Sequence, residues 1–241
     1  MARIDLELVK AGFFPSRAKA TAAIADGIVF CDGTRVSKPG HSVRDGQKIE
    51  IQGIVMPYVS RGGLKLEAAI KAFGIDLGGK IVLDVGSSTG GFTDCALRHG
   101  AAKVIAVDVG SRQMDETMRL DKRVTLHETL DFRDIPDRLV KGCETAVMDV
   151  SFISATMLAP RLARIASLKS VVCLIKPQFE CGPVIVKKGR GVVKSAKDRQ
   201  AAVDKVTAAF AVLGFGPLGI ITSPITGGSG NVEFLAWFTR G

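Results

Sequence analysis

The chain has 241 residues, 46% hydrophobic and 24% charged, which suits a folded protein with one ordinary domain and a small companion. Lysine and arginine outnumber aspartate and glutamate 33 to 24, and the net charge of +9 favours a polyanionic partner, because each cation beside a phosphate releases condensed counterions. Five scattered cysteines without a C-x-x-C, no apolar run near the ~20 residues of a membrane span, and a start at Met1–Asp5 without a signal-peptide core imply a cytoplasmic protein, not a disulfide scaffold, a zinc site or a membrane-inserted product.

Residues 1–58 read as a separate small α+β unit. Leu6, Leu8, Val9 and Phe13 recur at helical spacing, and Gly12 breaks the pattern. Ser16 caps a second, alanine-rich helix that runs to Ala25, with Gly27 as its C-cap. Ile28–Phe30 reads as a strand, Asp32-Gly33 as a hairpin turn, Lys38-Pro39-Gly40 as another turn, and Gln47–Ile51 as an alternating strand. Arg17 and Lys19 oppose the helix macrodipole in the first turn, which favours a functional reason for them over plain solvation. The unit has eight Lys/Arg against six Asp/Glu, so it would position a polyanion more than dominate its affinity.

This segment resembles the S4-type RNA-binding domain over nearly all of residues 2–52. The match is carried by Arg3-Ile4-Asp5, Ser16-Arg17-Ala18-Lys19-Ala20, Ile24, Gly27, Val29, Asp32-Gly33, Lys38-Pro39, Val43, Asp45 and Ile49. The resemblance implies that the second helix faces RNA, with Arg3, Arg17, Lys19 and Lys38 as contacts. Residues 59–64, with Gly62 and Gly63, read as a linker, and Arg61 within it as a further cation towards RNA.

From residue 65 the pattern alternates strands with helices. Strands are predicted at 81–85, 104–107, 124–127, 145–149, 171–175, 218–222 and 232–238, and helices at 92–98 and 197–213. Seven strands in such units imply an α/β fold with a mostly parallel sheet and helices on both faces.

The segment Leu83-Asp84-Val85-Gly86-Ser87-Ser88-Thr89-Gly90-Gly91-Phe92 decides the class. A dinucleotide fingerprint needs G-x-G-x-x-G, and the spacing here fails. Gly86-Ser87-Ser88-Thr89-Gly90 reads literally as a nucleophile elbow, but that motif needs a late histidine, and the three present are His41, His99 and His127. The remaining reading is the methyl-donor loop of a Rossmann-like class I methyltransferase, with Asp84, Gly86, Ser87, Ser88, Thr89, Gly90, Gly91 and Phe92 binding S-adenosylmethionine. Asp108 ends the second strand ~20 residues on, where a carboxylate accepts from both ribose hydroxyls of such a cofactor. A Rossmann loop that has lost its ligand is the alternative.

Open α/β sheets bind ligands at the carboxyl ends of their strands. Asp149 ends strand four and Lys176 ends strand five. Glu233 opens the last strand and shares that edge if this strand runs antiparallel. Lys65 opens the helix before strand one. A lysine works as a base towards a ribose hydroxyl only if its pKa falls well below the reference ~10.4. Burial and a second ammonium lower it, and an adjacent carboxylate raises it. Lys176 is therefore assigned as base, oriented by Asp149, with Lys65 as neighbouring charge and Glu233 positioning the ribose or Lys65. No metal is needed.

These four resemble the Lys-Asp-Lys-Glu tetrad of the FtsJ-type ribose 2′-O-methyltransferases. With the S4-like head, the chain is similar throughout to the TlyA (hemolysin A) family. The segments Ser60–Leu66, Asp84–Asp94, Met148–Ser154, Lys176–Gly182, Gly189–Val193 and Gly230–Phe234 carry the likeness. It implies an rRNA cytidine 2′-O-methyltransferase acting on ribosomal RNA or a ribosomal subunit, and the short termini lean towards the large subunit. It also implies that Asp131 accepts from the cofactor's adenine amino group while Phe132 contacts the ring. Lys187, Lys188 and Arg190, in the most basic run of the chain, are expected to border the cleft and grip RNA phosphates. The rival readings are a non-catalytic RNA-binding or assembly factor and a membrane-lytic protein. Oligomeric state stays open.

Overall fold

A computed structural model describes residues 1–14, 16–53 and 56–241. The chain divides into two compact units, Met1–Pro57 and Tyr58–Gly241.

In the first unit, β1 (Ala2–Arg3) leads into α1 (Ile4–Lys10), followed by α2 (Arg17–Ala25), β2 (Val29–Cys31), β3 (Thr34–Arg35), β4 (Ser42–Val43) and β5 (Ile49–Ile51). The order β3-β2-β5 makes a small antiparallel sheet, and β1 pairs with β4. Asp32 and Gly33, both at positive φ, make the two-residue turn between β2 and β3 whose twist matches the flanking strands. Ser16 caps α2 by accepting from the Lys19 N–H. The buried face of α1 is Ile4 and Leu8 at i,i+4. Leu6 and Phe13, expected in the apolar stripe, are each 43% exposed: Leu6 lies off the buried face of the helix and Phe13 beyond its end at Lys10.

The second unit opens with α3 (Gly62–Phe73), which begins inside the segment expected as a linker. Gly63 must lack a side chain there, because the Tyr58 ring occupies the space of a Cβ, whose nearest atom would be 2.2 Å away. Then follow β6 (Ile81–Val85), α4 (Gly91–Arg98), β7 (Lys103–Val107), α5 (Glu116–Arg119), β8 (Val124–His127), α6 (Asp137–Val140) and β9 (Thr145–Met148). The chain continues through α7 (Ala159–Ala163), β10 (Ser170–Ile175), α8 (Pro177–Glu180), α9 (Pro183–Lys188), α10 (Ala196–Ala211), β11 (Gly216–Thr222) and β12 (Phe234–Thr239).

The seven strands order as β11-β12-β10-β9-β6-β7-β8. The stretch from β10 to β8 is parallel, whereas β12 runs antiparallel to both its neighbours. The central strands read as continuous apolar runs because both faces are covered. On β6, Val82 packs with Leu66, Ala69 and Cys95 of α3 and α4, while Leu83 and Val85 belong to the opposite core with Leu162 and Phe210 of α7 and α10. The reversal of β12 places Phe234 opposite Ile175, so Glu233 and Lys176 emerge at the same sheet edge. Among the described residues no helix is long and apolar enough to cross a membrane.

Candidate active site

After β6 the chain must turn sharply to enter α4, and it does so with Gly86, Ser88 and Gly90 at φ of 81°, 44° and 89°. A left-handed serine is strained. Asp108, at the end of β7, holds it by accepting from the Ser88 N–H at 2.8 Å and from the Gly110 N–H at 2.6 Å. Gly86 must lack a side chain, since a Cβ there would sit 2.8 Å from the Asp149 carbonyl oxygen. Gly91 is equally confined, 2.3 Å from Ser60 Oγ.

Two cavities open on this loop. The larger, of about 590 Å³, lies over the ends of β6, β7 and β9 and is lined by Gly86, Ser88, Asp108, Asp131, Phe132 and Phe152, among others. The second is lined by Ser60, Arg61, Lys65, Ser87, Thr89 and Phe92, and by Gly91. Gly86, Ser88 and Asp149 line both, so the two spaces meet at the end of β9.

The four charged residues form two ion pairs, of which Lys65 and Asp149 line the cavities while Lys176 and Glu233 stand behind them and line neither. Lys176 Nζ lies 2.6 Å from Asp149 Oδ1 and donates to Ser151 Oγ at 2.8 Å. Pro177 fixes the turn that aims this side chain, standing at the first position of α8. Lys65 Nζ donates to Glu233 Oε2 at 2.6 Å, and the two side chains are 10% and 2% exposed. Gln178 Nε2 approaches the other Glu233 oxygen at 3.4 Å. Gly227 backs that carboxylate so closely that a Cβ would come within 2.4 Å of it. Lys65 and Asp149 thus reach the second cavity from α3 and β9, each held by a partner on another strand end.

Other expected site residues fall differently. Asp84 lines neither cavity. It is fully buried, and Thr93 of α4 donates to its Oδ2 at 2.6 Å, so it ties the start of α4 to β6. Burial, assisted by the charges of Asp149 and Asp108, raises its carboxyl to about 7 against the Thr93 hydrogen bond. Gly90 also misses both cavities and packs towards Met114 and Met118. Asp131 caps the turn at Phe132–Asp134, and the Arg133 guanidinium spans both its oxygens. Phe132 is 4% exposed, a core ring beneath Arg161 that shows one edge to the larger cavity.

Lys187 and Lys188 end α9, and Arg190 follows in a turn. All three are exposed and line neither cavity, contrary to the expectation that they border the cleft. The reason is local. Buried Asn231, two residues before Glu233, accepts from the Val193 N–H and donates to the Gly191 carbonyl, which tethers the following turn but leaves the cations outward. Arg3, Arg17, Lys19 and Lys38 belong to the other unit.

Ser151, Gln178 and Phe152 were not anticipated. Ser151 was detectable as the residue two beyond Asp149, on the same side of an extended chain. Phe152 is 92% exposed at φ 66°, with its ring 5.3 Å from that of Phe179. No group of three or more His, Cys, Asp or Glu among the described residues could hold a metal ion.

Comparison with known proteins matches residues 58–240 to the FtsJ-like methyltransferase profile and residues 2–49 to the S4 domain profile. The 16S/23S rRNA (cytidine-2′-O)-methyltransferase TlyA of Mycobacterium tuberculosis is 39% identical over 98% of this chain and 89% of its own. Hemolysin A of Brachyspira hyodysenteriae is 40% identical over 98% and 99%. A solved hemolysin-named chain from Streptococcus thermophilus matches with a TM-score of 0.77 at 40% identity, covering 99% of this chain and 88% of that one.

Proposed function

Since the chain belongs to the FtsJ-like methyltransferase family, we infer that it methylates a ribose 2′-hydroxyl of ribosomal RNA, at cytidine, using S-adenosylmethionine. The observation that carries this reading is the meeting of the two cavities at Gly86, Ser88 and Asp149, flanked by both ion pairs.

The residues present fit the cofactor. The larger cavity has the size of a small-molecule site. Ser87 Oγ is buried beside the loop without a hydrogen-bond partner among the described residues, and the Gly86 cradle leaves no room for a side chain. Asp108 would hold the cofactor's ribose, and Asp131 its adenine. When bound, S-adenosylmethionine supplies an electrophilic sulfonium methyl.

A ribose hydroxyl is a poor nucleophile until it loses its proton. Lys176 would take that proton, and Asp149 and Ser151 hold its Nζ on station. Lys65, kept in line by Glu233 and Gln178, places a positive charge where the ribose oxygen becomes negative. Much of the acceleration would come from orienting the ribose hydroxyl towards the methyl donor, which is what the residues around Gly86 and Asp149 are placed to do. Phe152 and Phe179 offer an apolar face beside Asp149 for the base of the target nucleotide. The S4 unit and the cations Lys187, Lys188 and Arg190 hold RNA phosphates, and the protein works in the cytoplasm, where ribosomal RNA is found.

The test is chemical. Purified protein is incubated with methyl-labelled S-adenosylmethionine and ribosomal subunits, and the RNA is digested with alkali. A 2′-O-methyl blocks cleavage of the next phosphodiester, so label is expected in alkali-resistant dinucleotides. Label in single nucleotides would mean base methylation and would contradict the reading.

A further inference from the structure

Within the first unit, Asp5 is a charged residue in the wrong place. It stands in the first turn of α1 beside the core residue Ile4, and its side chain is 2% exposed. A buried carboxylate persists only if its lone pairs are satisfied. Here two arginines do so. Arg3 donates from Nε to Oδ1 and from Nη2 to Oδ2, both at 3.1 Å. Arg17, from the start of α2, donates to Oδ2 from Nη2 at 2.9 Å and from Nε at 3.3 Å. The carboxylate is inside, yet the arginine side chains remain 52% and 58% exposed.

Backbone hydrogen bonds bring a third cation to this edge. Ile4 N–H donates to the His41 carbonyl and Asp5 N–H to that of Pro39, which lays the Lys38–His41 turn along the start of α1. Gly40 faces the Arg3 guanidinium, and a Cβ there would have nothing nearer than 4.0 Å, so the approach to Arg3 stays open. Lys38 is exposed.

We propose that Asp5 is the positioning residue of a preformed phosphate clamp, in which Arg3 and Arg17 are locked as two adjacent guanidinium forks for consecutive phosphates of an RNA strand. The proposal rests on the RNA reading above and deepens it. A free surface arginine loses rotamer freedom when it grips a phosphate. An arginine already held on a buried carboxylate has lost that freedom on folding, and its remaining N–H groups project in fixed directions suited to bidentate contact. One buried negative charge aligns two exposed positive ones, and the local balance stays positive.

The clamp makes a prediction opposite in sign to simple charge counting. Asp5→Asn removes a negative charge from an RNA-facing edge, which by Coulomb attraction alone should tighten binding. If Asp5 instead aligns the arginines, binding weakens. The full-length protein is titrated with large ribosomal subunits across a potassium chloride series. Asp5→Asn is expected to bind about fivefold to tenfold more weakly, with the slope of log affinity against log salt shallower by about one for each phosphate no longer gripped.

Arg3→Lys and Arg17→Lys keep the charge and the buried carboxylate and remove the fork. Each leaves a cation beside Asp5, so the protein should still fold, and each should weaken binding by a similar factor; they carry the test if Asp5→Asn fails to fold. Affinity equal to or tighter than wild type in Asp5→Asn, or wild-type affinity in both lysine variants, overturns the clamp while leaving the methyltransferase reading intact. Wild-type protein that does not bind the subunits at all overturns both.

Discussion

The Lys65–Glu233 pair joins α3 to the start of β12, and removing one partner has a calculable consequence. Two unit charges 2.6 Å apart attract by about 6 kcal/mol at an effective dielectric near 20. Desolvation of both groups offsets much of that gain, but deleting one charge leaves the other buried and alone, at a cost of about 3–5 kcal/mol. Glu233→Gln keeps the shape and one acceptor, so a destabilisation of about 3 kcal/mol is expected. The double variant Lys65→Met/Glu233→Leu removes both charges and is expected within about 1–2 kcal/mol of wild type. The assay is built into the chain. Its one tryptophan, Trp237, lies on β12 and stacks on Phe73 of α3 at 6.0 Å, so its fluorescence reports on the α3–β12 junction during urea unfolding. If Glu233→Gln costs less than about 1 kcal/mol, or if the double variant costs as much as Glu233→Gln or more, Lys65 and Glu233 do not act as a buried, coupled unit.

Three further outcomes follow from the same geometry. Asp84 is raised in the folded state to about 7 from an ordinary value of 3.8, so the native protein holds a proton that the unfolded chain has lost. Its stabilising contribution is complete below about pH 4 and declines by about 4 kcal/mol in total as pH rises through 7. Against Asp84→Asn, which cannot titrate, the wild type should therefore lose relative stability across that window in urea melts, and parallel profiles would contradict this. Gly86→Ala pushes a Cβ to within 2.8 Å of the Asp149 carbonyl at a positive φ, so cofactor affinity by calorimetry should fall about tenfold or more; wild-type affinity would refute the cradle. Reversing Lys187, Lys188 and Arg190 to glutamate should weaken ribosomal RNA binding strongly and leave cofactor binding unchanged, and unaltered RNA affinity would remove that stretch from the interface.

The sheet was legible because buried parallel strands are written as apolar runs, and Gly86, Asp108, Asp149 and Lys176 punctuate their ends. The reversed final strand was legible only as a condition; what places Glu233 beside Lys176 is the pairing of Phe234 with Ile175. Helix starts were less readable. Gly62-Gly63 looks like a hinge in sequence, and only the Tyr58 ring packed against Gly63 explains why glycines open α3. Asp84 is ambiguous for a similar reason: an acid before a glycine loop looks the same whether it faces a ligand or accepts, with one oxygen, from Thr93 of the next helix. Gln178 owes its place to a contact with Glu233 across strand ends, which no local pattern encodes. In the first unit the basic residues were found, but Asp5, the buried carboxylate that aligns two of them, had no signature beyond an acid in a helix's first turn.

The chemistry turns on one amine. Single-turnover methyl transfer to ribosomal RNA, with protein and cofactor saturating, should be slower by about 100-fold to 10,000-fold in Lys176→Ala than in wild type, the range for removal of a positioned general base, while cofactor affinity stays the same. Transfer by Lys176→Ala at the wild-type rate would show that the Lys176–Asp149 pair, 2.6 Å apart with Asp149 lining both cavities, is not where the ribose proton goes.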